Sequence, residues 1–177
     1  VRIYQNINGI WTKVGDDIDG EAANDLSGKA LSLSSDGSVV AIGATDNDGN
    51  GNDSGHVRIY QNVNGTWTKV GEDIDGEAAN DLSGNSVSLS SDGTVVAIGA
   101  IGNDDNGQAS GHVRIYQNIN GIWTKVGDDI DGEAGSDLSG ISVSLSSDGT
   151  VVAIGADSND GNGEDSGHVR IYQYSNN

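Results

Sequence analysis

"SGHVRIYQN" occupies Ser54–Asn62, recurs at Ser110–Asn118, and all but its last residue returns at Ser166–Gln173. The chain also opens on "VRIYQN" at Val1. Val1, Val57, Val113 and Val169 are therefore equivalent, each step being 56 residues. Three full units run 1–56, 57–112 and 113–168, followed by a partial repeat, 169–177. Of the 56 positions, 14 vary between units and 42 do not, so a site built by one unit is expected in all three. Variation gathers at Lys29/Asn85/Ile141 and in the loop Thr45–Asp53. No linker separates the units. They read as a single repeat domain over 1–177, or as one arc of a longer array.

Within a unit, the apolar residues alternate with period two and never keep a helical period. "SVSLS" (Ser86–Ser90) alternates serine with Val87 and Leu89, then "SSDG" marks a turn. "TVVAIGA" (Thr94–Ala100) is apolar on both faces and needs cover on both. After a polar loop, "HVRIYQ" (His112–Gln117) forms a third strand, and Asn120-Gly121 closes a hairpin into "IWTKVG" (Ile122–Gly127). These are strands A, B, C and D, followed by an acidic segment. Four antiparallel strands per 56-residue repeat give an all-β chain of β-propeller-like blades. Small, serine-rich strand A suits the crowded axis of a ring, and strand D, with Trp11, Trp67 and Trp123, suits the outer edge. A three-fold β-trefoil or β-prism is the alternative.

"GNSVSLSSDGTVVAIGA…SGHVRIYQ" resembles the FG-GAP repeats of integrin α-subunit propellers and of many secreted microbial proteins. The matching features are a glycine before strand A, an apolar run ending in "IGA", and a later glycine opening a strand. Ser83-Gly84 stands at the family's Phe-Gly, and the family's Ca²⁺ loop, Asp-x-Asp-x-Asp-Gly, stands here as "SSDG". The resemblance covers all three units. It implies extracellular adhesion or ligand binding, and no catalysis.

The formal charge is −19, from 27 acids against 8 bases. Nucleic acid is not an expected partner, because it requires cations to displace phosphate counterions. No apolar run long enough to span a bilayer occurs, so no membrane insertion is expected. The chain opens at Val1 and contains no Met, which reads as a processed or excised piece. In an up-and-down meander the B–C and D–A loops share one face, and these are the long acidic loops. Hard cations take six to eight oxygens, with glycine permitting sharp turns. Ca²⁺ is thus the possible cofactor. Its candidate ligands are Asp17, Asp19, Glu21, Asp25, Asn47, Asp48 and Asn50 in the first unit. Their equivalents are Asp73, Asp75, Glu77, Asp81, Asn103, Asp104 and Asn106, then Asp129, Asp131, Glu133, Asp137, Asn159, Asp160 and Asn162. The same asparagines and aspartates also fit Asx-turns, in which the side chain bonds nearby backbone.

His56, His112 and His168 precede strand C and read as structural histidines, because neighbours at a strand head alternate faces and cannot converge into a triad. Tyrosine and tryptophan read as packing residues, and Arg2, Arg58, Arg114 and Arg170 as partners of local acids. The expected function is a non-enzymatic module, extracellular or at the cell surface, for adhesion, ligand binding or structural assembly. A multivalent lectin with one sugar site per repeat is the alternative. Expected partners are a protein or glycan ligand, and other repeats. The terminal blades should be completed by flanking repeats or by self-association, as a ring or a filament.

Overall fold

A computed structural model describes residues 1–174; the last three residues of the partial repeat lie outside the described residues. The described chain is all β, without helix, in antiparallel sheets of which none closes into a barrel. Among the described residues no helix is long and apolar enough to cross a membrane.

A hairpin comes first, β1 (Tyr4–Ile7) and β2 (Ile10–Lys13). Blade I holds β3 (Ala30–Leu33), β4 (Val39–Ala44), β5 (His56–Val63) and β6 (Thr66–Lys69), with the short β7 (Ile74–Asp75) also paired to β5. Blade II repeats this as β8 (Ser83–Leu89), β9 (Val95–Ala100), β10 (His112–Ile119), β11 (Ile122–Lys125) and β12 (Ile130–Asp131). Blade III has β13 (Ser142–Leu145), β14 (Val151–Ala156) and β15 (His168–Gln173). Each sheet runs in the order A-B-C-D as far as its strands go. Strand D is thus in two pieces, the second of which the period-two pattern is too short to show.

Strand B is apolar on both faces because blades I and II each pack on the unit before and the blade after. Val40 and Ile42 of β4 face back onto Val1, Ile3, Ile18, Tyr60 and Trp67. Val39 and Ala41 face forward, into a cluster with Val87, Leu89, Val96 and Ile98 of blade II. Ala97 and Val113 then pack forward on Val152 and Ile154 of blade III. The blades therefore stack in series, with strand A and strand D at opposite edges. At the strand A edge, Ser32 Oγ accepts a hydrogen bond from Leu89 N (2.9 Å), and Ser88 Oγ from Leu145 N (3.0 Å). At the other edge, Trp67 Nε1 donates to Val14 O and Trp123 Nε1 to Val70 O, both at 2.8 Å. Trp11, by contrast, is 68% exposed.

The "SSDG" turn is held by its aspartate. Asp36 Oδ1 accepts from Ser34 Oγ, Ser38 N and Ser38 Oγ. These bonds, led by that from the Ser38 amide, bring the Asp36 carboxyl down to about 2. The carboxylate at this turn is committed to shaping it.

Candidate metal centre

The two acidic loops do share a face, and side chains lace them together. Asn50 Nδ2 donates to Gly76 O and Glu77 O, both at 2.9 Å, and Asn106 Nδ2 to Gly132 O at 2.7 Å. Asn47 Nδ2 donates to Asp25 Oδ2 (2.9 Å), as Asn159 does to Asp137 (2.8 Å), while Asn47 Oδ1 accepts from Gly49 N. The Oδ1 atoms of Asp48, Asp104 and Asp160 accept from backbone amides five residues on. Asp25, Asp81 and Asp137 each accept from the amide three residues back. The residues that persist in all units thus carry hydrogen bonds that shape and join these loops. Asp17 pairs with Arg2 and Lys13.

A different subset converges on the histidines. Glu21, His56 and Asp73 form one group, and Glu77, Asp105, His112 and Asp129 another. Within each group, one ligand-capable atom per residue lies within 4.8 Å of all the others. The acidic groups are therefore close enough to hold a metal ion.

The two groups are filled differently. In the first, Arg58 supplies the cation: its Nη2 lies 2.6 Å from Glu21 Oε2 and 2.7 Å from Asp73 Oδ2, and its Nε donates to Asp73 Oδ1 at 3.0 Å. Burial opposes ionisation of Asp73, but the bonds from Arg58 and Lys69 prevail and bring it down to about 2. In the second, the equivalent Arg114 turns away and donates to Asp75 O at 3.4 Å. Asp105 stands where the other units have Gly49 and Gly161, adding a carboxylate. Lys125 holds Asp129 Oδ1 at 2.6 Å. In the third unit Glu133 faces His168 Nδ1 at 3.6 Å and Arg170 Nη1 at 3.4 Å.

His112 is fully buried, and neither ring nitrogen has a hydrogen-bond partner. Burial holds its pKa below the ordinary imidazole value, helped by Arg114 and opposed by Asp129, Asp81 and Glu77. Most buried polar side-chain atoms are hydrogen-bonded, so the bare ring of His112 stands out. Of the acids expected as ligands, Glu21, Asp73, Glu77 and Asp129 enter these groups. His56, His112 and Asp105 join these groups without having been among the expected ligands. Their signals in sequence are an unvarying histidine and a lone Asp in place of glycine.

Residues 74–116 match the sequence model of the FG-GAP repeat. The FG-GAP match runs from β7 into β10 and so contains Glu77, Asp105 and His112. No curated protein matches the chain significantly. Among solved structures, it is similar to a candidate 6-phosphogluconolactonase from Bacteroides uniformis, at 16% identity and TM-score 0.63 over 98% of this chain and 44% of that one. It is also similar to the periplasmic gluconolactonase PpgL of Pseudomonas aeruginosa, at 14% identity and TM-score 0.55 over 98% and 46%. The chain thus spans under half the length of either. These likenesses correct the expectation that the chain is not an enzyme. The same fold is carried by proteins described as lactonases, so FG-GAP-like blades give no ground for excluding catalysis. At these identities the likeness extends to the fold, and assigns no reaction here.

Proposed function

We propose that this chain is a three-blade arc of a β-propeller-type module that binds a ligand, protein or glycan, outside the cell or at its surface. One observation carries the assembly. Trp67 and Trp123 each seat their indole on the unit before, bonded to Val14 O and Val70 O. The next seat in the series is open. It is a cavity of about 420 Å³ lined by Val126, Gly127, Ile130, Val152 and Tyr172, the equivalents of Val14, Gly15, Ile18, Val40 and Tyr60. At the other end, the β1–β2 hairpin exposes Ile10 (69%) and Trp11 (68%) with no seat. Plug and socket match, and blades add head to tail.

The occupant of the socket is a tryptophan hairpin of this same kind, from a following repeat or from a second copy. If 98% of this chain fills 44% of the Bacteroides chain, that chain has roughly 390 residues, room for about seven units of this size and within the usual four to eight blades. Flanking repeats would then complete the ring. Two copies pairing at both ends would give six blades. With the indoles of Trp67 and Trp123 committed to the seams, they are not free platforms for sugar stacking. The acidic loop face is the proposed ligand surface, with Ca²⁺ as its exchangeable counter-ion, because most loop donors are already hydrogen-bonded.

Sedimentation of the chain against concentration tests the assembly. The wild type should associate, and Trp11→Lys should stay monomeric with an unchanged strand spectrum. A wild type that remains monomeric at high concentration limits the partner to flanking repeats. Association untouched by Trp11→Lys contradicts the plug and socket.

A further inference from the structure

We propose that Glu77, Asp105, His112 and Asp129 form a binding site for one divalent transition-metal ion, unique to the middle unit. Four ligand-capable atoms lie mutually within 4.8 Å. One belongs to a fully buried imidazole with both nitrogens unpartnered. An uncompensated buried polar group is costly to keep, and ligation to a metal satisfies the acceptor nitrogen of the ring.

The donor set selects the metal class. Ca²⁺ and Mg²⁺ take oxygen ligands only, whereas imidazole with carboxylates suits zinc and its first-row neighbours. Bonds of 2.0–2.2 Å in a tetrahedron put ligand atoms about 3.4 Å apart. Closing the present group to that size needs each separation to shrink by no more than about 1.4 Å. Glu77 and Asp105 are exposed and free to make that adjustment, while His112 is buried at the head of β10 and Asp129 is half-buried.

The comparison between units makes the site singular. Around His56 the arginine guanidinium lies between Glu21 and Asp73, occupying the position a metal would take. Around His112 the equivalent Arg114 reaches instead for the Asp75 carbonyl. Position 105 adds a carboxylate where positions 49 and 161 are glycine. Absence of the arginine bridge between the carboxylates and gain of an anion occur in the same unit. Three carboxylates surround the ring there, and one Lys125 ammonium answers them.

The test is Co²⁺ titration of the whole chain in excess Ca²⁺, which occupies oxygen-only sites. Visible ligand-field bands report nitrogen and oxygen coordination. The expected result is one equivalent of Co²⁺, displaced by Zn²⁺, with the His112 ring signals shifted by Zn²⁺ and those of His56 not. Asp105→Gly restores the residue native to the other units and so preserves the fold. It should weaken affinity at least about 10-fold, since even outer-sphere changes cost that much. His112→Gln should abolish the bands, and His56→Gln should leave them. Absence of bands, three equal equivalents, or full affinity in Asp105→Gly overturns the proposal. Should His112→Gln not fold, the Asp105→Gly result and the histidine shifts still decide it.

Discussion

Gly99 and Gly155 occupy the same place in the same "VVAIGA" strand, one in blade II and one in blade III. A Cβ built on Gly99 falls less than 3.0 Å from the Gly140 carbonyl of the next blade, and also from Ser86 Oγ. On Gly155 it meets only the matching Ser142 Oγ, because no fourth blade covers it. Neither glycine has positive φ, so alanine adds no backbone strain at either. The serine rotates away cheaply, whereas the Gly140 backbone cannot. Gly99→Ala must push blades II and III apart at a close backbone contact, and overpacking of this kind costs about 1–3 kcal/mol. For a chain of this size that lowers Tm by about 2–10 °C. Gly155→Ala should stay within about 0.5 kcal/mol of wild type. Thermal and urea unfolding of both variants, at concentrations low enough to keep the chain monomeric, give the comparison. Equal losses in the two variants would refute the blade-on-blade contact at Gly99–Gly140.

Ser88→Ala removes the acceptor for Leu145 N at the inner seam and should lower stability by about 1 kcal/mol; an unchanged urea midpoint contradicts the seam. Asp73, depressed to about 2 from 3.8, contributes stability that is complete above pH 4 and lost as pH falls through 2. Asp73→Asn should therefore flatten the acid limb of the stability profile between pH 4 and 2, and a limb of unchanged slope goes against the Arg58–Asp73 pair. For Ca²⁺, sites near 1 mM affinity would gain about 1.4 kcal/mol each in 10 mM ion. Melting should rise by several degrees over chelator at matched ionic strength, and identical melting removes Ca²⁺ from the acidic face.

The architecture was legible because it rests on local chemistry. The doubly apolar "VVAIGA", the serine alternation of strand A and the Asn-Gly hairpin each follow from the residues themselves. So did the sharing of one face by the acidic loops, which is topology. The candidate site was less legible because it depends on rotamers. Arg58 and Arg114 are identical in sequence context, yet one bridges two carboxylates and the other leaves them. Asn47, Asp48 and Asn50 carry the donor types of a cation loop, and whether they ligate or staple a turn is decided by which amides lie in reach. The bareness of the His112 ring is a property of what surrounds it in space.

Trp67 and Trp123 sit on seams between units, and Trp11 has no seat. Hydrogen exchange of the three indole N–H groups, resolved by ¹⁵N NMR on the dilute chain, tests that most directly. Two indoles should be protected and Trp11 should exchange at a solvent rate. Three equally protected indoles would mean that the units close on one another with three-fold symmetry, and the series of open-ended blades would be wrong.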